Sequence, residues 1–369
     1  MKEEDLLALL ALQHTPNIGD ITAKKLIAHC GSPSAIYKEK KHKIAHIERI
    51  GSTILKNLFD PIHRKEAERE WQYIQDNHIK YYTFFDPDYP ANLKQIIDAP
   101  IIFFYNGNID LKNKKTLSIV GTRQVTSYGR AFCEKFIEEL SALEDLVIIS
   151  GFAYGVDITA HKAAMNNGLQ TIACLAHGLD IIYPASHKKY VSEVKNNGGF
   201  ITEFWHKSKF DRKNFIGRNR IIAGLSDATV VIESALKGGS LVTADMAFSY
   251  DRDVFAIPGR ADDTYSQGCN QLIKTDKARL ITSAADLVYY MGWEIEETSA
   301  KPIAAELFVE LSEEEEKIIT YLKEHGKQTL DDLSRECSFP IHKLSNLLFQ
   351  IEMKGIIRPL PGKVFALIS

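Results

Sequence analysis

"TLSIVGTRQVTSYGR", residues 116–130, runs from an apolar, β-branched segment through a glycine into the start of a helical pattern. TLSIV suits a strand buried on both faces. Gly121 permits a tight turn, and Thr126 or Ser127 is placed to cap the helix that follows. The unit recurs. Apolar runs at 146–150, 171–175, 199–203, 228–233, 253–257 and 279–282 are mostly followed by a glycine or turn and then by a helical pattern. Such alternation predicts an α/β fold over residues 81–292, with a doubly wound, mostly parallel sheet and right-handed crossovers.

The flanks differ in texture. Residues 1–80 read as helical. In "TPNIGDITAKKLIAHCGS", residues 15–32, Ile18-Gly19 separates two helical patterns. A helix-hairpin-helix module would use such a glycine to bring backbone amides to a phosphate. A plain helix connection would use it for its φ, and spacing alone favours that reading. Residues 293–311 read as a linker and 312–369 as a third unit. Ser312 and Thr329 cap helices there, a third helix follows Pro340, and two short strands flank Pro361-Gly362. Three helices and a hairpin make a winged-helix pattern. Residues 305–369 hold eight Lys/Arg against eleven Asp/Glu, which points to protein contact rather than DNA reading.

Bulk composition narrows the function. A net charge of −3 over 369 residues excludes a generally basic nucleic-acid coat, so any polyanion site has to be local. With 45% hydrophobic and 25% charged residues the chain has ample material for a core. Cys30, Cys133, Cys174, Cys269 and Cys337 are odd in number and contain no C-x-x-C pair, which fits reduced thiols better than disulfides or zinc. The segment MKEEDLLALLALQ carries acids where a signal peptide needs cations, and no apolar run has membrane-spanning length. A soluble, cytoplasmic protein without metal or cofactor is expected.

In an open parallel sheet, ligands bind beyond the carboxyl ends of the strands. Gly121, Thr122 and Arg123 follow one strand directly, offering a turn, a hydroxyl and a bidentate phosphate clamp. This is neither a G-x-G-x-x-G nor a Walker A loop. Gly151 and Gly155 follow the next strand, ahead of Asp157, a natural N-cap. Asp157 and His161, four apart on one helical face, suggest acid/base chemistry. A cap plus a packed histidine is the simpler reading, since no third partner is evident. Gly238, Gly239, Ser240 and Thr243 open a further helix, and Pro258-Gly259 and Gly268-Asn270 mark two more junctions. Each glycine loop is weak evidence alone. Several converging on one sheet edge favour a polyphosphate or nucleic-acid backbone site.

One stretch breaks the near-neutral pattern. From Phe204 to Arg220 the chain carries Lys207, Lys209, Arg212, Lys213, Arg218 and Arg220 against a single acid, Asp211. Trp205, Phe210 and Phe215 lie among them. Cations neutralise phosphates, and Phe215 or Trp205 offers a ring on which any base stacks, which suits a single strand. The competing reading buries Phe215 in the core and pairs Arg218 and Arg220 internally.

Together these pieces resemble the DNA-processing protein A family (DprA, also called Smf). The likeness runs over residues 86–293 through IVGTRQVTSYG, SGFAYGVDITAHKAA, TIACLAHGLDIIYP, RNRIIAGLSDATVVIES, GGSLVTADMA, VFAIPG and QGCNQLI. The flanking helical (SAM or helix-hairpin-helix-like) segment and the winged helix also resemble longer members. The resemblance implies an extended Rossmann-like domain that binds single-stranded DNA. It also implies a homodimer that protects incoming DNA and helps load RecA during natural transformation. On that pattern the G-[ST]-R motif is Gly121-Thr122-Arg123. The basic, aromatic segment before Arg218-Asn219-Arg220 contains Lys213 and Phe215, and the glycine loop is Gly238-Gly239-Ser240. The chain departs from the pattern at Ile216-Gly217, where a proline is usual, and at Asp251-Arg252 in place of Gly-Arg. KTDKA at 274–278 replaces a Gly-Ala turn. The rival is an enzyme, a nucleotide phosphoribohydrolase with P-G-G-x-G-T-x-x-E. Here no Glu stands at the corresponding place. Glu233 precedes the loop, and Asp245 could substitute, although an acid on a helix face is more often solvated. The strip also has no task in hydrolysing a mononucleotide, so a non-enzymatic binder is expected.

Overall fold

Among the described residues, nine strands form one sheet: β1 (Lys80–Thr83), β2 (Ile102–Gly107), β3 (Lys115–Val120), β4 (Leu146–Ser150), β5 (Gln170–Cys174), β6 (Gly198–Thr202), β7 (Ala228–Val231), β8 (Asp253–Ala256) and β9 (Arg279–Leu280). Their spatial order is β1-β2-β6-β5-β4-β3-β7-β8-β9. All pairings from β6 to β9 are parallel. β2 runs antiparallel to both β1 and β6. The computed structural model describes residues 1–48, 50–293, 311–354, 356–360 and 364–367. The chain divides into two units, Met1–Glu296 and Glu297–Ser369.

Each strand expected from its apolar run is present, five of the seven ending one or two residues earlier than the run itself. The alternation works as anticipated. In β4, Val147 and Ile149 enter one core while Leu146 and Ile148 enter the core on the opposite face. Strand β2, from the apolar run IIFFY, is not among the strands expected from sequence, and both its faces are covered. Phe103 joins the sheet's own core, whereas Ile102 and Phe104 join Leu9, Leu12 and Leu26 of the N-terminal helices. The helical segment is thereby fastened to the reversed strand.

The turn between helices Glu3–His14 and Asp20–Cys30 corrects one expectation. Its left-handed residue is Asn17 (φ 66), while Gly19 is the extended N-cap (φ −87). The Asp20 carboxylate then accepts from the Ile101 amide at 2.8 Å, tying the turn to the α/β unit.

The described residues of the second unit form three helices, Glu313–His325, Leu330–Glu336 and Ile341–Met353, and a small sheet of β10 (Gln328–Thr329), β11 (Ile357–Leu360) and β12 (Val364–Leu367) in the order β10-β12-β11. Ser312 and Thr329 cap the first two helices, as their spacing anticipates. The linker expected at 293–311 lies almost wholly outside the described residues, as does the Pro361-Gly362 turn. No helix among the described residues is long and apolar enough to cross a membrane.

Candidate nucleic-acid interface

Chain order places β4, β5 and β6 on one side of β3 and β7, β8 and β9 on the other. The switch point therefore falls between β3 and β7, where an open α/β sheet leaves a crevice. A cavity of about 320 Å³ opens there. Its walls bring together Gly121, Thr122, Arg123, Phe215, Arg218, Asn219, Gly238, Gly239, Ser240 and Thr243, ten of the residues expected from sequence. Two helices start at its edge. Helix Val156–Asn166 begins where the Val156 amide donates to the Thr122 carbonyl at 3.1 Å. Helix Gly239–Ser249 has no side-chain cap; the Leu241 amide turns back to the Gly238 carbonyl at 3.2 Å, and the positive end of the helix lies at the cavity.

Arg218 is the decisive group. It is only 4% exposed, yet its Nε is buried without an acceptor, and the side chain lines the cavity. A buried guanidinium nitrogen without an acceptor is costly unless an anion completes it. Asp157, the acid that acts on it electrostatically, is itself buried, and that burial pushes its carboxyl above the usual range against the pull of Arg218. Gly151 makes the room. A Cβ there would stand 1.5 Å from Arg218 Nη1 and 2.6 Å from Asp157 Oδ2, so any larger residue would displace both side chains. At Gly155 φ is +76, and a Cβ would meet the Thr122 carbonyl at 2.2 Å.

Phe215 supplies an aromatic wall. The guanidinium carbons of Arg123 and Arg218 lie 5.4 and 5.9 Å from its ring centre. Arg212 and Lys213 are exposed on the first turn of helix Arg212–Leu225, whose N-cap Asp211 accepts from the Lys213 amide at 2.9 Å.

Other expected groups serve elsewhere. Arg220 does not reach the cavity. Its guanidinium donates to Asp20 at 2.9 Å, to Glu203 and to the Asp98 carbonyl, a buried network joining the helical segment to the sheet. Asn270 is committed to both backbone groups of Gly259, at 2.9 and 3.2 Å. Trp205 faces the N-terminal helices, stacked 5.0 Å from His14, with its Nε1 donating to Gln13. It borders a larger cavity of about 580 Å³ at that seam, whose four acids, Asp20, Glu66, Glu70 and Glu203, suit a polyanion poorly. Asp157 is not the N-cap of its helix, which is Gly155. His161 packs as the simpler reading has it, Nδ1 at 2.7 Å from Thr171 Oγ1, with burial pulling it down to about 3. The Glu233 carboxylate is held by the Thr126 amide at 2.9 Å and by the Thr126 hydroxyl. Asp245 pairs with Lys277 at the surface.

The sequence profile of the DNA recombination-mediator protein A family matches residues 80–292, more than half the chain, and that of the DprA winged helix domain matches residues 300–363. The chain belongs to the DprA family. It is 40% identical over 228 residues to the DNA processing protein DprA of Streptococcus pneumoniae, covering 60% of this chain and 79% of that protein. The X-ray structure of the pneumococcal DprA superposes with a TM-score of 0.67 at 31% identity, covering 78% of this chain and 98% of that one. DprA from Helicobacter pylori, whose structure was described for its single-stranded DNA binding mode, superposes at 0.52 and 29% identity, covering 58% and 96%. Two departures from the DprA pattern acquire a physical account. Asp251 (φ 56) and Asp276 (φ 54) both adopt the left-handed conformation. Glycine occupies that region freely, and aspartate is among the few other residues that tolerate it.

Proposed function

We propose that this DprA-family chain binds single-stranded DNA at the cavity between β3 and β7. In this reading it protects incoming strands in the cytoplasm and helps load RecA on them during natural transformation. It works as a homodimer, by binding rather than by catalysis. The observation that carries the reading is Arg218, a buried cation without an acceptor on Nε, beside exposed Arg123, uncapped helix amides and the Phe215 ring. Phosphate is the anion these donors match, and a ring beside them favours unpaired bases. The engagement of Glu233 with Thr126 supports binding over hydrolysis, since that acid is already occupied in holding a loop. The acidic balance of the winged helix supports a contact with protein partners. The test is a fluorescence anisotropy titration of an oligo-dT, a duplex of equal length and a mononucleotide. Tight binding confined to the single strand supports the reading. Equal binding of duplex, or turnover of the mononucleotide, overturns it.

A further inference from the structure

Phe215 does not stand alone. Tyr183 and Phe210 pack against it and each other, with ring centres 4.7 Å apart for Tyr183–Phe210, 5.4 Å for Phe210–Phe215 and 6.1 Å for Tyr183–Phe215. Tyr183 comes from the loop after β5, and Phe210 from the strip ahead of helix Arg212–Leu225. Both are large apolar rings left open to solvent, 40% and 50% exposed. Isolated exposed aromatics need no explanation, but a contiguous group does. This group is continuous with the cavity, because Phe215 belongs to both.

Its surroundings identify the occupant. Lys207, Lys209, Arg212 and Lys213 are exposed in the same strip, and none forms a salt bridge among the described residues. Elsewhere exposed cations do pair, as Lys38 with Glu4 at 2.9 Å and Lys277 with Asp245 at 2.7 Å. An apolar protein face would satisfy the rings but leave the cations unmatched. A single strand satisfies both, with negative phosphates and flat bases alternating along one chain.

We propose that Tyr183, Phe210 and Phe215 form a stacking platform for consecutive bases of a single strand whose phosphates run on to Arg123 and Arg218. This rests on the reading of the cavity given above and extends it from the backbone to the bases. The platform selects against duplex, whose bases are already stacked on one another. It is tolerant of sequence, because every base offers a π-face.

The decisive comparison is an oligo-dT against an abasic oligomer of the same length and phosphate count. The full-length chain is expected to bind the oligo-dT more tightly, by on the order of tenfold for each base stacked. Phe210→Leu and Tyr183→Leu keep apolar bulk and lose the ring. Each is expected to narrow the gap between the two ligands while leaving abasic binding unchanged, and Tyr183→Phe is expected to restore it. Variants that keep the wild-type preference for oligo-dT overturn the platform and leave the phosphate site standing. A wild-type chain that binds neither oligomer removes the cavity reading, and the platform with it. A variant that keeps the preference but changes in sedimenting mass assigns the rings to a second copy of the chain, which also overturns the proposal.

Discussion

Arg218 and Arg220 stand two apart on one helix and point to different tasks. Residues at that spacing face opposite sides of a helix, so one reaches the sheet edge and the other the helical segment. In the sequence they are simply two cations of a strip. Helical phase was the signal that separates them, and it becomes usable only once the strip's second half is read as helix rather than loop. The strip thus has open cations at its start and an internal ion pair at its end. Replacing Arg218 by Met should weaken single-strand binding by about 1.5–3 kcal/mol, the loss of charge-assisted hydrogen bonds, in a chain that still melts cooperatively. Arg220→Ala should do the reverse. It strands Asp20 and Glu203 in the interior and should cost about 3–5 kcal/mol of stability, measured by urea unfolding. Asp251→Gly relieves a left-handed backbone and should raise stability by up to about 1 kcal/mol.

At the scale of elements, the strands announce themselves because burial on both faces demands long apolar runs, and the capped helices because Ser312, Thr329 and Thr126 precede acids or small residues at fixed offsets. β2 carries an apolar run as well, but that its second face is covered by the helical segment is a tertiary fact no local pattern encodes. Trp205 is misleading for the same reason, since its place against His14 depends on how that segment docks. The seam they share carries a pH dependence. Burial, and then the neighbouring Asp20 and Asp98, raise Glu203 from 4.5 to about 7 against the pull of Arg220. Below pH 4.5 the folded and unfolded chains both hold this proton, so burial imposes no electrostatic penalty. Between 4.5 and about 7 the unfolded chain loses it first. Stability from this group therefore declines as pH rises through that window and levels off above it. Glu203→Gln should flatten the decline in a series of urea melts from pH 5 to 8.

The whole molecule combines a near-neutral chain with one concentrated cationic edge, and a unit whose charge balance is acidic. If the winged helix meets protein partners rather than DNA, a chain ending after residue 300 should stay folded and bind oligo-dT within a few-fold of full length. A folded truncation with much weaker binding would place the second unit in the DNA site. The central claim is that Arg218 meets a phosphate, and the most direct measurement is the salt dependence of oligo-dT binding. For the wild-type chain the account predicts a linear fall of log affinity with log salt, at about 0.7 per phosphate contacted. For Arg218→Met it predicts a slope shallower by about 0.7, one phosphate contact fewer. An unchanged slope in that variant, or an affinity indifferent to salt in the parent chain, would contradict it.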